Sequence, residues 1–261
     1  MNFDSVIDPN VFQQVQDYLK RIEEEHDVVV LHAIESGSRA WGFPSPDSDY
    51  DVRFVYAHSR DWYLQLSDER DVIEVPISDD LDIAGWDLRK TLNLANKGNA
   101  VIQEWVVSPI VYQQDVSYSS VASMVQGAFN PIAVYHHYRS MAKKAYADIE
   151  QSEEKKLKRF FYFARATLSA LWVVEKQTMP SILFSELVGE LISERIIREK
   201  LNALVIRKME ESEKSSLEVP IAVYRYVVNV FESFDESVSF NDDAIALISN
   251  NDFRHFLNSS D

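Results

Sequence analysis

Apolar positions near the start of the chain recur with a helical period. Phe12, Val15, Leu19 and Ile22 share one face, with Lys20-Arg21 and Glu23-Glu24-Glu25 on the others, which predicts an amphipathic helix. The period then gives way to an apolar run, Val28 to Ile34, interrupted only by His32, that reads as a buried strand. Pro44, Ser45, Pro46 and Ser48 mark a loop before a strand over Tyr50–Tyr56,. A short helix is predicted over Asp61–Leu66. Two strands follow, Val72–Ile77 and Leu81–Leu88, joined by a Ser78-Asp79-Asp80 turn,. Helices are predicted from about Arg89 to Ala95 and from about Ala100 to Val107. The character changes across residues 113–130, where Gln113-Gln114-Asp115 and Ser117 to Ser120 interrupt the pattern. Asn130 is a good N-cap and Pro131 a good first helical residue. They open predicted helices over 131–149, 153–177, 181–212 (with room for a break), 219–234 and a short one from about 242. The expected fold class is α+β: a core of mixed sheet with flanking helices over residues 1–115, then a helical bundle over 130–261.

Composition narrows the class. The chain has 261 residues, 46% of them hydrophobic, enough for a full core. No apolar run approaches the length of a membrane span, and the N-terminus lacks a signal-peptide core, so a cytoplasmic protein is expected. The absence of cysteine excludes disulfides and a thiol nucleophile, and fits a reducing compartment. The net charge of −16 argues against a general duplex-binding surface. The imbalance is uneven, however. Residues 131–215 carry 15 Lys/Arg against 12 Asp/Glu, whereas the rest carries 11 against 30. The basic residues either form ordinary solvated helix faces or meet a polyanion.

The chemistry concentrates in Glu35-Ser36-Gly37-Ser38-Arg39-Ala40-Trp41-Gly42 and Ser48-Asp49-Tyr50-Asp51-Val52-Arg53. Residues two apart on a strand share a face, so Asp49 and Asp51 are expected side by side, near backbone N–H groups at Gly37. Paired carboxylates repel unless a cation separates them. A carboxylate fork beside a phosphate-sized backbone cradle suggests Mg²⁺ (or Mn²⁺) and a nucleoside triphosphate. Gly37 and Ser38 would hold the β- and γ-phosphates. Arg39 is expected either to contact phosphate or to pair with a nearby acid. Arg53, on the face of Asp49 and Asp51, either touches nucleotide or holds a carboxylate.

Gly37-Ser38 followed by Asp49-Tyr50-Asp51 resembles the signature of the polymerase-beta-type nucleotidyltransferase superfamily. Glu35 to Trp41, Asp47 to Tyr56, Gly85-Trp86-Asp87-Leu88-Arg89-Lys90, and Glu104-Trp105 with Ser108-Pro109-Ile110-Val111-Tyr112 narrow the resemblance to the predicted nucleotidyltransferases of bacterial and phage RNA repair. The likeness is strongest over residues 28–112. It implies Mg²⁺-dependent transfer of NMP from NTP, with ATP the expected donor, to an acceptor hydroxyl. That acceptor would be an RNA end, a protein or a small alcohol. The alternative is a nucleotide-binding regulatory or antitoxin-like protein with little turnover. The resemblance further implies a third carboxylate on a neighbouring strand. Asp87, directly before a helix, is the favoured third metal ligand, with helix capping as its other role. Asp82 is the alternative, since acids five apart on a regular strand face opposite sides unless Gly85 carries a bulge.

In the helical half, which would close the nucleotide and acceptor cleft, Lys158, Tyr162 and Arg165 fall on one helix face. They would bind nucleotide, the tyrosine stacking on the base, or else form an amphipathic surface with an aromatic core edge. Lys143-Lys144 and His136-His137 stand on similar ground, and adjacent histidines in a helix point apart, which makes a metal site there improbable. Lys90 reads as a helix-face lysine, and Trp105 is expected to pack under the site. No P-loop, dinucleotide fingerprint or Gly-x-Ser-x-Gly elbow is present.

Overall fold

The computed structural model describes residues 7–67, 69–77, 80–151, 157–211, 219–234, 238–240 and 245–259. Helix α1 (Pro9–His26) starts where the Asp8 carboxylate accepts from the Asn10 N–H at 2.7 Å, and it ends at Asp27 in the left-handed region, φ 51°,. Val15, Leu19 and Ile22 are buried as their spacing requires, while Phe12 stays 39% exposed. Next come β1 (Val28–Glu35), α2 (Gly37–Ala40), β2 (Tyr50–His58), α3 (Arg60–Tyr63), β3 (Val72–Glu74) and β4 (Leu81–Asp87). They are followed by α4 (Leu88–Asn96), α5 (Ala100–Val106), β5 (Val111–Gln114) and α6 (Tyr118–Gly127). The expected Ser78-Asp79-Asp80 turn lies partly outside the described residues.

The strands form one mixed five-stranded sheet in the order β3-β4-β2-β1-β5. β2 and β4 run parallel, and the other pairs are antiparallel. β1 sits near the middle and is buried on both faces except at Val29, which explains its largely apolar sequence. One face of the sheet, with Val30, Val52, Phe54, Tyr56 and Ile83, packs on α1. The other, with Leu31, Ile34, Val55 and Ala57, packs on α4, α5, α6 and Phe256 from the final helix.

Helices α7 (Pro131–Glu150), α8 (Leu157–Lys176), α9 (Phe184–Leu191), α10 (Arg195–Glu210), α11 (Ile221–Glu232) and α12 (Asn250–Ser259) complete the described chain. Asn130 caps α7 as its sequence predicts, accepting from the Ala133 N–H at 3.0 Å. The predicted 181–212 helix is two helices. Residues 153–156, at the expected start of α8, and 241–244, near the last expected helix, lie outside the described residues.

Two compact units emerge. The first comprises the chain through Ala40, Asp49–Phe129 and the segment from Ile245 on. The second comprises Trp41–Ser48 and the helices from Asn130. In the second unit α8 is the hub, with twelve buried residues from Leu157 to Val173. Phe43, from the short loop, lies 5.0 Å from the Phe161 ring and 5.5 Å from that of Phe184. The buried Lys208 ammonium donates to the Phe43 carbonyl and the Ser45 hydroxyl, both at 2.9 Å. No helix among the described residues is long and apolar enough to cross a membrane.

Candidate active site

Gly37 follows the end of β1 with φ +62°, a conformation that only glycine adopts without strain. A second reason for glycine is steric: a Cβ here would collide with the Asp51 carboxylate. The backbone of the Gly37-Ser38 turn therefore lies directly against the acid. The contact is reinforced where the Ser36 N–H donates to the Asp51 carbonyl at 2.8 Å. The turn and the Asp-x-Asp strand are thus one local structure, as their spacing suggests.

Asp51 sits near the start of β2, and the parallel register sets Asp82 of β4 directly opposite it. The two side chains share a face, and the Arg53 guanidinium lies between them, 2.7 Å from Asp82 Oδ2 and 3.4 Å from Asp51 Oδ1. Arg53 therefore holds carboxylates rather than standing apart from them. Both acids keep about a third of their side-chain surface in solvent, at 34% and 33%. Asp49 precedes the strand and is exposed. Its carbonyl accepts from Arg39 Nε at 3.2 Å. Arg39 is buried, with its guanidinium 3.7 Å from the centroid of the Tyr50 ring, so it braces the segment leading into Asp51.

Asp87, the favoured third acid in the sequence reading, is not beside the other two. β2 and β4 stay in register from Leu81 to Asp87 without a bulge. Asp87 consequently faces the side opposite Asp82, about 16 Å further along the strand. It is buried, accepts from the Tyr63 hydroxyl at 2.7 Å and caps α4 through the Arg89 N–H at 2.8 Å. Burial raises its pKa, a rise that the Tyr63 hydrogen bond opposes. The acid brought next to Asp51 is Asp82. Lys90 pairs with Asp71 at 2.8 Å, and Trp105 stacks on Trp86 at 4.2 Å in the core.

One polar residue of the site was quoted in the sequence without a role. Glu35 is fully buried at the end of β1. Its Oε1 accepts from the Asp51 N–H at 3.0 Å and its Oε2 from the Tyr112 hydroxyl at 2.7 Å. Burial pushes its carboxyl up to about 7, against the opposing pull of these two hydrogen bonds. The signal in the sequence is a lone carboxylate closing a buried strand whose other residues, His32 apart, are apolar.

Within the helical unit, Lys158 and Tyr162 line a cavity of about 460 Å³ with Lys144. Arg165 is elsewhere. It is buried, with its guanidinium 4.1 Å from the Trp41 ring, against which Tyr162 also packs edge-on at 5.3 Å.

The donor set of Asp49, Asp51 and Asp82 is all hard oxygen, the chemistry a magnesium ion prefers, and the Gly37 cradle fits a polyphosphate beside it. Among the described residues no three acids or histidines are yet gathered closely enough to hold a metal. Asp51 and Asp82 instead share Arg53.

The chain is 41% identical over 227 residues to "Uncharacterized protein YcgL" of Bacillus subtilis (strain 168), a match covering 86% of this chain and 87% of that protein. Residues 11–250 match the family described as "RNA repair pathway DNA polymerase beta family". With a match spanning the sheet, its acids and most of the helical unit, the chain belongs to the RNA repair pathway DNA polymerase beta family.

Proposed function

We propose that the protein is a divalent-metal-dependent nucleotidyltransferase that moves NMP from an NTP, ATP being the expected donor, to an acceptor hydroxyl. The observation that carries this reading is the packing of Gly37 against Asp51, with Asp82 opposite in register. A phosphate-sized backbone turn and a carboxylate pair meet at one point. In the reaction the acceptor oxygen bonds to the α-phosphorus, the bond between that phosphorus and the α–β bridging oxygen breaks, and pyrophosphate leaves. The hydroxyl proton passes to solvent. Asp49, Asp51 and Asp82 would hold Mg²⁺ or Mn²⁺, which when bound neutralises developing charge and acidifies the acceptor hydroxyl.

The chain's own residues do the positioning. The Gly37-Ser38 turn binds the β- and γ-phosphates. Glu35 fixes the Asp51 backbone, and Arg39 fixes that of Asp49. Arg53 must yield Asp51, the weaker of its two contacts, when a metal enters. Within the helical unit, the lysines Lys144 and Lys158 beside Tyr162 favour an anionic, base-bearing ligand in their own cavity. The family description favours an RNA end as acceptor. A protein or small alcohol would use the same chemistry.

The test is incubation with α-labelled NTPs, Mg²⁺ or Mn²⁺ and candidate acceptors, following the label. Transfer with pyrophosphate release is expected, lost in the Asp49→Asn/Asp51→Asn chain with its fold unchanged. Equal transfer by that variant would refute the reading. One observation favours a second reading, a nucleotide-binding regulator with little turnover: Arg53 already bridges Asp51 and Asp82. Calorimetric NTP binding without pyrophosphate release would select it.

A further inference from the structure

At the end of β2 opposite Asp51, about 23 Å along the strand, α3 and α12 of the same unit enclose a cavity of about 390 Å³. Its floor includes Tyr63 and Phe253, whose rings meet edge-to-face at 5.1 Å. Its rim carries the exposed side chains of Arg60, Arg254, Asn250 and Asn258. No carboxylate lines it among the described residues, in a chain whose net charge is −16. Asp252, the acid of α12 closest in sequence to Phe253 and Arg254, is occupied at the helix start, accepting from the Ser249 N–H and hydroxyl at 2.7 Å each. A further guanidinium, that of Arg89, lies 4.9 Å from the Tyr63 ring.

We infer that this cavity is a docking site for one nucleotide of a single-stranded RNA, base against the aromatic floor and phosphate on Arg60 and Arg254. The size is that of a small-ligand pocket. Aromatic faces take a base by stacking, whatever its identity, and guanidinium groups grip phosphate through paired N–H donors. Asparagine amides both donate and accept, so they can meet a base edge or the 2′-hydroxyl, the group absent from DNA. An acidic peptide would satisfy the arginines, but it would leave the aromatic floor and amides without partners. A protein this acidic repels RNA at long range, so an RNA contact belongs where arginines line the surface and the nearby acids, Asp61, Asp87 and Asp252, stay outside the lining. The site lies apart from the Gly37–Asp51 turn and does not depend on the nucleotidyl-transfer reading.

Binding of a fluorescent 12-nucleotide RNA, read by anisotropy in EDTA, tests the inference. The Arg21→Gln/Arg195→Gln chain, which removes two exposed arginines outside this cavity, is expected to bind with the affinity and salt slope of wild type. Arg60→Gln/Arg254→Gln removes exposed charges only. It should weaken binding on the order of tenfold or more at 50 mM salt and make the slope of log K against log salt shallower by about 0.7, one phosphate contact's worth. Phe253→Leu, with its fold checked by circular dichroism, should weaken binding by roughly tenfold with the salt slope unchanged. Unaltered affinity and slope in the double arginine variant would overturn the inference. So would equal affinity for hexaglutamate, equal affinity for the DNA 12-mer, or saturation by AMP at the concentration where the RNA saturates, which would assign the cavity to a free nucleotide.

Discussion

Glu35 offers the sharpest quantitative test of the site. Its side chain has no exposed surface, and its carboxyl rises from an ordinary value near 4.5 to about 7 because burial disfavours the charged form,. Between those values the folded chain keeps a proton that the unfolded chain has released. Folding stability from this group is therefore complete below pH 4.5 and drains away as pH climbs through 7. The whole excursion amounts to roughly 3.4 kcal/mol, and the part between pH 5 and pH 8 to roughly 2.5 kcal/mol. Glu35→Gln keeps the shape and acceptor oxygen but cannot ionise. Its stability relative to wild type should thus improve by that same ~2.5 kcal/mol on going from pH 5 to pH 8. Urea unfolding in EDTA, followed by tryptophan fluorescence at both pH values, gives the difference directly. His32 is pushed down to about 4 by burial and contributes a slope of opposite sign over pH 4–6.5. It is common to both chains and cancels in the comparison. A gap between variant and wild type that moves by less than ~1 kcal/mol, or in the other direction, would refute the assignment of Glu35 as a buried, proton-holding acid.

Four further outcomes are expected. Asp82→Asn should abolish transfer with stability changed by less than ~0.5 kcal/mol. Asp87→Asn should instead cost about 1–3 kcal/mol through the α4 cap and Tyr63 while sparing turnover per folded molecule; the reverse ranking would restore Asp87 as the third acid. Gly37→Ala should cost about 1–2 kcal/mol in backbone strain alone and should eliminate NTP binding by calorimetry, because its methyl displaces the Asp51 carboxylate; wild-type binding would contradict the cradle. Lys208→Met should lower stability by about 2–4 kcal/mol in thermal unfolding, since the Phe43 carbonyl and Ser45 hydroxyl lose a buried charged donor; an unchanged midpoint would show that water replaces it.

Local rules explain what could be read from the chain. The Val15-Leu19-Ile22 stripe, the apolar β1 and the Asn130-Pro131 helix start all depend on neighbours within a few residues. The features that escaped depend on distant ones. Choosing between Asp82 and Asp87 requires the parallel register of β2 and β4, and no nearby residue encodes it. Glu35 looked like an ordinary strand end because its partner Tyr112 arrives 77 residues later. β5 and α6 lie where the pattern seemed to lapse. β5 has only four residues, two of them glutamines, and α6 begins with serines, its buried Val121 and Val125 supplying a sparse stripe. The Asn96 amide bonded to Ile248 at 2.9 Å likewise joins segments that no window could connect.

That last link bears on how the protein is born. Because Phe256 completes the apolar layer beneath the sheet, the first unit has to wait for α12, made long after its strands, before it can close. Until then a nascent chain on the ribosome carries an assembled strand order with one flank uncovered, an invitation to chaperones. Arrival of α12, rather than emergence of the sheet, becomes the moment at which that unit acquires its native stability.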